Sequence, residues 1–222
     1  MGGPPSEAPW IVSAYVGTVH TESAGIQIDQ PATGTSLFFP NVSFRSASWD
    51  SPIYYGYRVA HRVPRARALY VEAELIHAKI FAETAESASG SGTRNGIAVG
   101  TVPFSSVVQR FAMSHGLNFV FINALVRHPL AADRVMLTGR VGAGPLLPHA
   151  EIEIEHRTTE GYQLSGAGVQ ASAGIEMRVW RHANVLAEYK WTRARPAVEI
   201  DDGRATVTTR SHHVVMGLSL DF

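Results

Sequence analysis

The chain closes on a strand that alternates to its last residue. Val214, Met216, Leu218, Leu220 and Phe222 share one face, and Ser211, His213, Gly217, Ser219 and Asp221 share the other. A period of two means a strand whose two sides meet different surroundings. Alone it fits a soluble sandwich, where the greasy side meets a second sheet, as well as a barrel in lipid. The choice depends on whether the pattern recurs around the whole chain, and on what the polar faces carry.

It does recur. Alternating segments are read at roughly 10–20, 41–63, 68–83, 107–127, 133–157, 162–181, 184–200 and 205–222, about eight strands, with Pro52 breaking or bulging the second. Tight connectors at Pro64–Arg67, His128–Ala132 and Arg181–Ala183 take turns with longer ones at Thr21–Pro40, Ser87–Val107 and near Arg157 and Asp202. In an up-and-down meander this gives one short-looped and one long-looped end, as in transmembrane barrels. The second long loop, with Ser87, Ser89, Gly90, Ser91 and Gly92, is expected to be flexible.

The polar faces are the stronger signal. Val169, Ala171, Ala173, Ile175, Met177 and Val179 oppose Gln170, Ser172, Gly174, Glu176 and Arg178. Ala187, Tyr189 and Trp191 oppose Glu188, Lys190 and Thr192, and Val135, Leu137 and Val141 oppose Thr138, Arg140 and Gly142. Charges turned inward need partners or water, because an unpaired buried ion is costly. A small membrane barrel provides a polar, mutually paired interior and an apolar exterior. The alternative is a two-layer sandwich with a charged outer surface. Trp10, Trp180, Tyr189 and Trp191 suit an aromatic girdle. The expected fold is therefore all-β: an eight-stranded antiparallel up-and-down transmembrane barrel with a polar interior, a single domain over 10–222 behind a disordered segment 1–9.

Composition agrees with this without proving it. The chain has 222 residues, no formal net charge and 45% hydrophobic residues. That would pass for a soluble domain, but alternation makes a membrane barrel average out the same way. The run Phe119–Val126 is far short of the ~20 residues of a membrane helix. Cysteine is absent, so disulfides and thiolate metal sites are excluded. The charge balance gives no reason to expect nucleic acid. The N-terminal segment lacks the basic and apolar regions of a secretory signal, so an exported chain would be a mature or re-started form.

Chemistry-bearing residues gather in the third to fifth strands: Glu74-Leu-Ile-His77-Ala-Lys79, Ser114-His115-Gly116-Leu-Asn118 and Pro148-His149-Ala-Glu151. Each histidine lies about nine to sixteen residues above its short turn, roughly 23 to 40 Å at ~3.3 Å per residue and ~40° tilt, against a band about 25 Å tall. That places His77 and His115 near the outer rim and His149 nominally higher. With Glu72 and Glu74 inward, regular alternation turns His77 and Lys79 outward. Three histidines and a carboxylate at one rim could form a metal site or an acid–base site, since imidazole both ligates and titrates near neutrality.

Those three motifs in that order, together with Trp49-Asp-Ser-Pro52, Tyr54-Tyr55-Gly56, Val141-Gly-Ala-Gly-Pro145, Glu188-Tyr-Lys190 and the terminal Phe222, resemble the outer-membrane lipid A oxidase family of rhizobia and related bacteria. The likeness spans about Trp10 to Phe222, with Phe121 and the basic pair Arg193 and Arg195 departing from the pattern. It implies a monomeric outer-membrane enzyme acting on lipid A of the outer-leaflet lipopolysaccharide. The implied reaction is an O2-dependent oxidation of the proximal glucosamine to 2-aminogluconate with release of hydrogen peroxide. On that resemblance His77, His115 and Glu74 are the candidate catalytic residues. Lys79, Ser114 and Asn118 are the candidate substrate ligands, and His149 and Glu151 the candidate ligands of a divalent metal or O2. No flavin or nicotinamide motif is present, so a metal is the simplest route to O2 chemistry. Two alternatives stay open. One is a lipid A deacylase using Ser114 with His115 or Ser211 with His212, against which stands the opposed facing of adjacent strand residues. The other is a non-catalytic, OmpA-like structural or adhesive barrel that works through its long loops.

Overall fold

A computed structural model describes residues 8–66, 68–85, 88–130 and 134–222. The expected disordered segment therefore falls outside the described residues, apart from its last two, and so do parts of the turns at Pro64–Arg67 and His128–Ala132. Sixteen strands follow one another: β1 (Trp10–Thr21), β2 (Ala24–Gln30), β3 (Thr35–Val42), β4 (Phe44–Arg45), β5 (Tyr55–Arg62), β6 (Leu69–Ala82), β7 (Ser89–Arg94), β8 (Ile97–Pro103), β9 (Val108–Leu130), β10 (Val135–Ile154), β11 (Arg157–Tyr162), β12 (Ala167–Arg178), β13 (Ala183–Arg195), β14 (Ala197–Ile200), β15 (Gly203–Val207) and β16 (Thr209–Asp221).

Eight of them close a barrel in the order β1, β5, β6, β9, β10, β12, β13, β16 and back to β1, every pair antiparallel. The seam joins the first strand to the last, with Val12 opposite Leu220 and the Phe222 amide donating to the Trp10 carbonyl at 2.9 Å. Closure leaves no unpaired barrel edge, which a sheet in hydrocarbon requires.

The lower barrel wears its apolar side outward. Val71, Val120, Ile122, Val141, Ile175, Met216 and Leu218 are all exposed. On β9 this belt runs from Leu130 to Val120, a rise of roughly 25 Å at ~3.3 Å per residue and ~40° tilt. Inside, Arg58 donates to Glu74 at 2.7 Å and to Glu188 at 2.6 and 3.1 Å, while Arg140 joins Glu188 at 2.6 Å to Glu72 at 3.0 Å. Lys190 also bonds Glu74, and lower down Arg127 bridges Glu176 and Asp221. These ions take the place of a hydrocarbon core. Each carboxylate offers several lone pairs, and the guanidinium forks meet them from neighbouring strands.

Above the belt the polarity inverts. On β10 the inward series passes from Thr138 and Arg140 to Leu146, Ala150, Ile152 and Ile154, while the outward series passes from Val141 and Leu147 to His149, Glu151 and Glu153. The upper interior is one apolar cluster that includes Ile26, Ile28, Leu37, Phe39, Phe104, Phe111 and Val198, with the rings of Phe39 and Phe104 at 5.0 Å. A second sheet, β14-β15-β2-β3-β7-β8, supplies much of it.

This corrects the reading of the long connectors. Thr21–Pro40 is mostly the hairpin β2–β3, and the described part of the glycine- and serine-rich stretch is β7, paired with β3 and β8. The second sequence strand divides into the end of β3, β4 and β5, and in the segment between β4 and β5 Ser46 and Ser48 bond Val19 of β1 while the Asp50 carbonyl accepts from Lys79 of β6. The strand tops near Arg157 and Asp202 are the hairpins β10–β11 and β14–β15. Phe121, the departure from the family pattern, faces inward and is fully buried beside Phe119, at the boundary between ion layer and apolar plug.

Candidate functional site

The site is on the outer wall, at the row where the apolar belt ends. Register places Ala78 of β6, Leu117 of β9 and Pro148 of β10 side by side. His77 and Leu147 both pair with Asn118, so His149 stands above His77, level with Lys79, but by only two residues along the strand. Chain counting gives a larger gap because β9 and β10 run lower than β6, with Val135 opposite Leu130 where Leu69 is opposite Val126. Between Met113 and Leu117 β9 holds more residues than β6 does between Ala78 and Ile80 or β10 between Pro148 and Glu151, so Ser114, His115 and Gly116 form a bulge. Gly116 takes φ +108°, which side chains rarely adopt.

The bulge suspends alternation, and this builds the cluster. Adjacent residues of a flat strand face opposite ways, yet Ser114 and His115 both reach Glu151 of β10. The Ser114 hydroxyl lies 3.0 Å from His115 Nδ1 and also donates to Glu151 Oε1. His115 Nδ1 is 3.3 Å from the same oxygen, and Arg110 holds Oε2. The His149 ring stands edge-on to His115, centroids 4.7 Å apart, with its Nδ1 4.0 Å from Glu151 Oε1 and no hydrogen-bond partner. Tyr162 of β11 closes the other side of His149 at 4.6 Å. One ligand atom from each of His115, His149 and Glu151 lies within 4.8 Å of the others.

His77 sits beside this set. It faces outward as alternation requires, yet it is only 4% exposed. Tyr55, the first residue of β5 and the cross-strand partner of His77, covers it, stacked on the imidazole at 4.8 Å and 9°. Asn118 fixes the ring: its Nδ2 donates to the Leu147 carbonyl at 3.0 Å, so its Oδ1 accepts from His77 Nδ1–H at 2.8 Å. Nδ1 thus carries the proton, and His77 Nε2 is a buried lone pair without a partner.

Not every candidate belongs here. Glu74 is inside the barrel, fully buried and bound by Arg58, Lys190, Tyr15 and Asn123. Its catalytic assignment is therefore corrected to a structural ion, because inward parity separates it from the outer wall. Lys79 points outward but is only 5% exposed and donates to the Asp50 carbonyl at 3.1 Å, so it is covered and offers no open contact to a phosphate. Asn118 positions His77, and Ser114 is occupied by Glu151. His115 falls among the possible metal ligands in addition to its assignment as a base. Sequence reasoning missed Arg110 and Tyr162, which only the register of β9 and β11 against β10 brings in; Arg110 alternates with Phe111 and could have been found as an outward charge next to the Ser-His-Gly motif. Ser211 and His212 face opposite sides: Ser211 bonds Thr21 inside, and His212 meets Glu22 and Tyr189 outside.

The donor chemistry fits a divalent cation. Two imidazoles and a carboxylate suit iron or zinc. A common ion about 2.1 Å from each donor needs them closer than 4.8 Å, and His149 Nδ1 is a buried donor atom with no hydrogen-bond partner to give up.

A closed antiparallel barrel with an apolar belt, an ion-paired interior and a plugged upper end is the architecture of an outer-membrane-type transmembrane β-barrel. No family model matches the chain, and no curated protein matches it. Among solved structures it is similar to Neisserial surface protein A, at 11% identity over 97% of this chain and 98% of that one with TM-score 0.47. It is also similar to the outer membrane protease OmpT of Escherichia coli, at 11% identity over 96% of each chain with TM-score 0.48. A third is the outer membrane protein AlkL, at 12% identity over 100% and 93% with TM-score 0.48. The assignment to the barrel class rests on the strand pairing and belt above, not on these likenesses.

Proposed function

We propose that this protein oxidises the sugar headgroup of lipid A in the outer leaflet, with O2 as electron acceptor, at a divalent-metal centre formed by His115, His149 and Glu151. The observation that carries the reading is the outward-facing donor set at the upper edge of the belt. Two histidines and one carboxylate with open positions are the ligand pattern of non-haem iron(II) oxygenases, and the bound ion would supply the O2 chemistry. Arg110 and Ser114 orient Glu151. His77, held by Asn118 with its unprotonated Nε2 buried, lies beneath the surface beside this set, whereas the exposed His115 is the imidazole open to the sugar. Overall, the hemiacetal carbon of the proximal glucosamine loses two electrons and two protons and becomes a lactone. O2 takes up both as hydrogen peroxide, and water opens the lactone to 2-aminogluconate.

Ser114, His115 and Glu151 also bring an acyl hydrolase to mind. A serine–histidine–acid relay uses both imidazole nitrogens, one for the serine and one for the acid. Here Nδ1 serves both, and the serine hydroxyl is turned to the carboxylate. Mass spectrometry of lipid A from cells expressing the protein separates the readings. Oxidation adds one oxygen to the sugar, hydrolysis removes an acyl chain, and a non-catalytic barrel leaves lipid A unchanged. The oxidation should disappear in His149→Ala and Glu151→Gln, and in chelator until one metal is restored. Full activity of His149→Ala would refute the assignment.

A further inference from the structure

A second feature of the outer wall lies outside the histidine cluster. Arg193 and Arg195 of β13 both face outward and are exposed, and Arg193 stands directly opposite Arg210 of β16. Like charges in direct cross-strand pairs repel, so this pairing costs stability unless an anion lies between them. Glu22 is close to Arg210. Neither Arg193 nor Arg195 has a carboxylate partner among the described residues.

The surroundings define what the anion is attached to. Beside the two arginines a shallow groove of about 310 Å³ runs along Ala143, Gly144, Ala167 and Val169. Its lining contains no acidic residue, and small side chains leave room for an extended hydrocarbon chain. Below Arg193 the same outward face continues as Trp191 and Tyr189, and below Arg210 it reaches Val214, Met216 and Leu218. The guanidinium groups thus stand where the belt ends, at the level of lipid phosphates. Arginine on a lipid-facing wall is tolerated at that depth and not at the midplane.

We propose that this face docks an anionic outer-leaflet lipid. Arg193 and Arg210 grip its phosphate from two strands, Arg195 stands above it, and the groove in register with Arg193 and Arg195 takes the root of one acyl chain, which runs on down the belt. Guanidinium forks match phosphate oxygens in pairs, which gives geometric selectivity as well as charge. β13 is two strands from β10, roughly 10 Å around the wall. The site therefore flanks the histidine cluster without sharing a residue with it, and it requires neither a metal nor a reaction.

The test uses the full chain in phosphatidylcholine nanodiscs, with native mass spectrometry counting bound bis-phosphorylated lipid A against its dephosphorylated counterpart. The phosphorylated form should be retained preferentially. The Arg193→Gln/Arg195→Gln variant should lose about 10- to 100-fold in affinity, in line with the loss of two charge-assisted contacts. The doubly lysine-substituted variant, which keeps the charge but not the fork, should fall between. Ala167→Phe, which fills the groove and leaves all three arginines, should also weaken binding. Heat-modifiable electrophoretic mobility confirms that each variant is folded. Equal retention of the dephosphorylated lipid, wild-type affinity in the double glutamine variant, or displacement by inorganic phosphate at equimolar concentration would each overturn the proposal, the last by showing a free-anion site.

Discussion

Replacing Gly116 with alanine should dismantle the site from within the barrel wall. A Cβ at this position would stand 2.5 Å from both Asn118 Oδ1 and His77 Nδ1, and 2.7 Å from His77 Cε1. Neither neighbour can retreat: the imidazole is sandwiched against Tyr55, and Asn118 is tied to the Leu147 carbonyl. The φ of +108° adds a backbone penalty on the order of 1–3 kcal/mol for any L side chain. The least costly escape is to flatten the bulge, which restores alternation and turns His115 away from Glu151. Gly161 provides the control, because it has φ +144° but nothing within 4 Å of its would-be Cβ. Gly161→Ala should therefore report the backbone cost alone. In urea unfolding followed by tryptophan fluorescence in micelles, Gly116→Ala should lose about 1–3 kcal/mol more than Gly161→Ala, the range of an overpacked interior position. Titration with Co²⁺ should show at least a 10- to 100-fold loss of affinity, the scale on which removing a ligand's support acts. If the two alanine variants are equally stable and bind the ion equally well, the bulge does not organise the cluster and the reasoning fails.

Three further outcomes follow from the other layers. Arg58→Met should cost about 3 kcal/mol in the same unfolding assay, the low end for breaking a buried ion pair, because Glu74 keeps Lys190 and Glu188 keeps Arg140; a change below about 0.5 kcal/mol would contradict an ion-paired interior. Phe104→Ala should cost about 3–5 kcal/mol and speed amide exchange in β2 and β3, since its ring packs on Phe39; unchanged exchange there would mean that the upper sheet is not held by the apolar plug. At the upper end of β1, the hydrogen bond from His212 holds the Glu22 carboxyl below its ordinary range. A lowered folded value means that its stabilisation is present above the ordinary carboxylate range and is lost as pH falls through the lowered value. The acid limb of the stability profile, below about pH 5, should therefore be shallower in Glu22→Gln than in the wild type, and coincident limbs would remove Glu22 from that role.

The barrel was legible in the sequence because lipid and a polar interior impose opposite demands on successive residues. β16, β12 and β13 alternate without a fault from Val214 to Leu220, Val169 to Met177 and Val185 to Tyr189, and the charges on their other faces turned out to be the paired interior. Legibility failed where one of those two surroundings changes. In β2, β3 and β7 the outside is water, so Gln27, Asp29, Ser36 and Ser91 look like loop residues. The alternation of Ile26 with Ile28 and of Leu37 with Phe39 was nevertheless present in the sequence. The bulge was harder to see. Ser114-His-Gly116 contains a glycine that permits irregular backbone, but nothing in the residues states that two partner strands skip past it. Nor do they state how far β9 and β10 run below β6, so counting from the turns exaggerated the height of His149 above His77.

The interior also explains why the proposed chemistry belongs on the outside. From Asp221 up to Lys190 the lumen is filled by side chains that neutralise one another, and an incoming polar ligand would have to separate Arg58 from Glu188 or Arg140 from Glu72 to make room. Above them, from Phe121 to Phe39, the same space is closed by hydrocarbon. Among the described residues the plug lies over the ion-paired layer. The polar groups that remain without full partners among the best-buried histidines, His77 Nε2 and His149 Nδ1, both lie on the lipid side of the wall. There the belt gives way to polar residues, and a headgroup held sideways by its acyl chains can approach His115 and His149 without leaving the membrane. That geometry favours a lipid-borne substrate over a soluble one: a soluble ligand would have to be held at this rim by the cluster alone, whereas a lipid is already confined to its height by the same belt that positions the barrel.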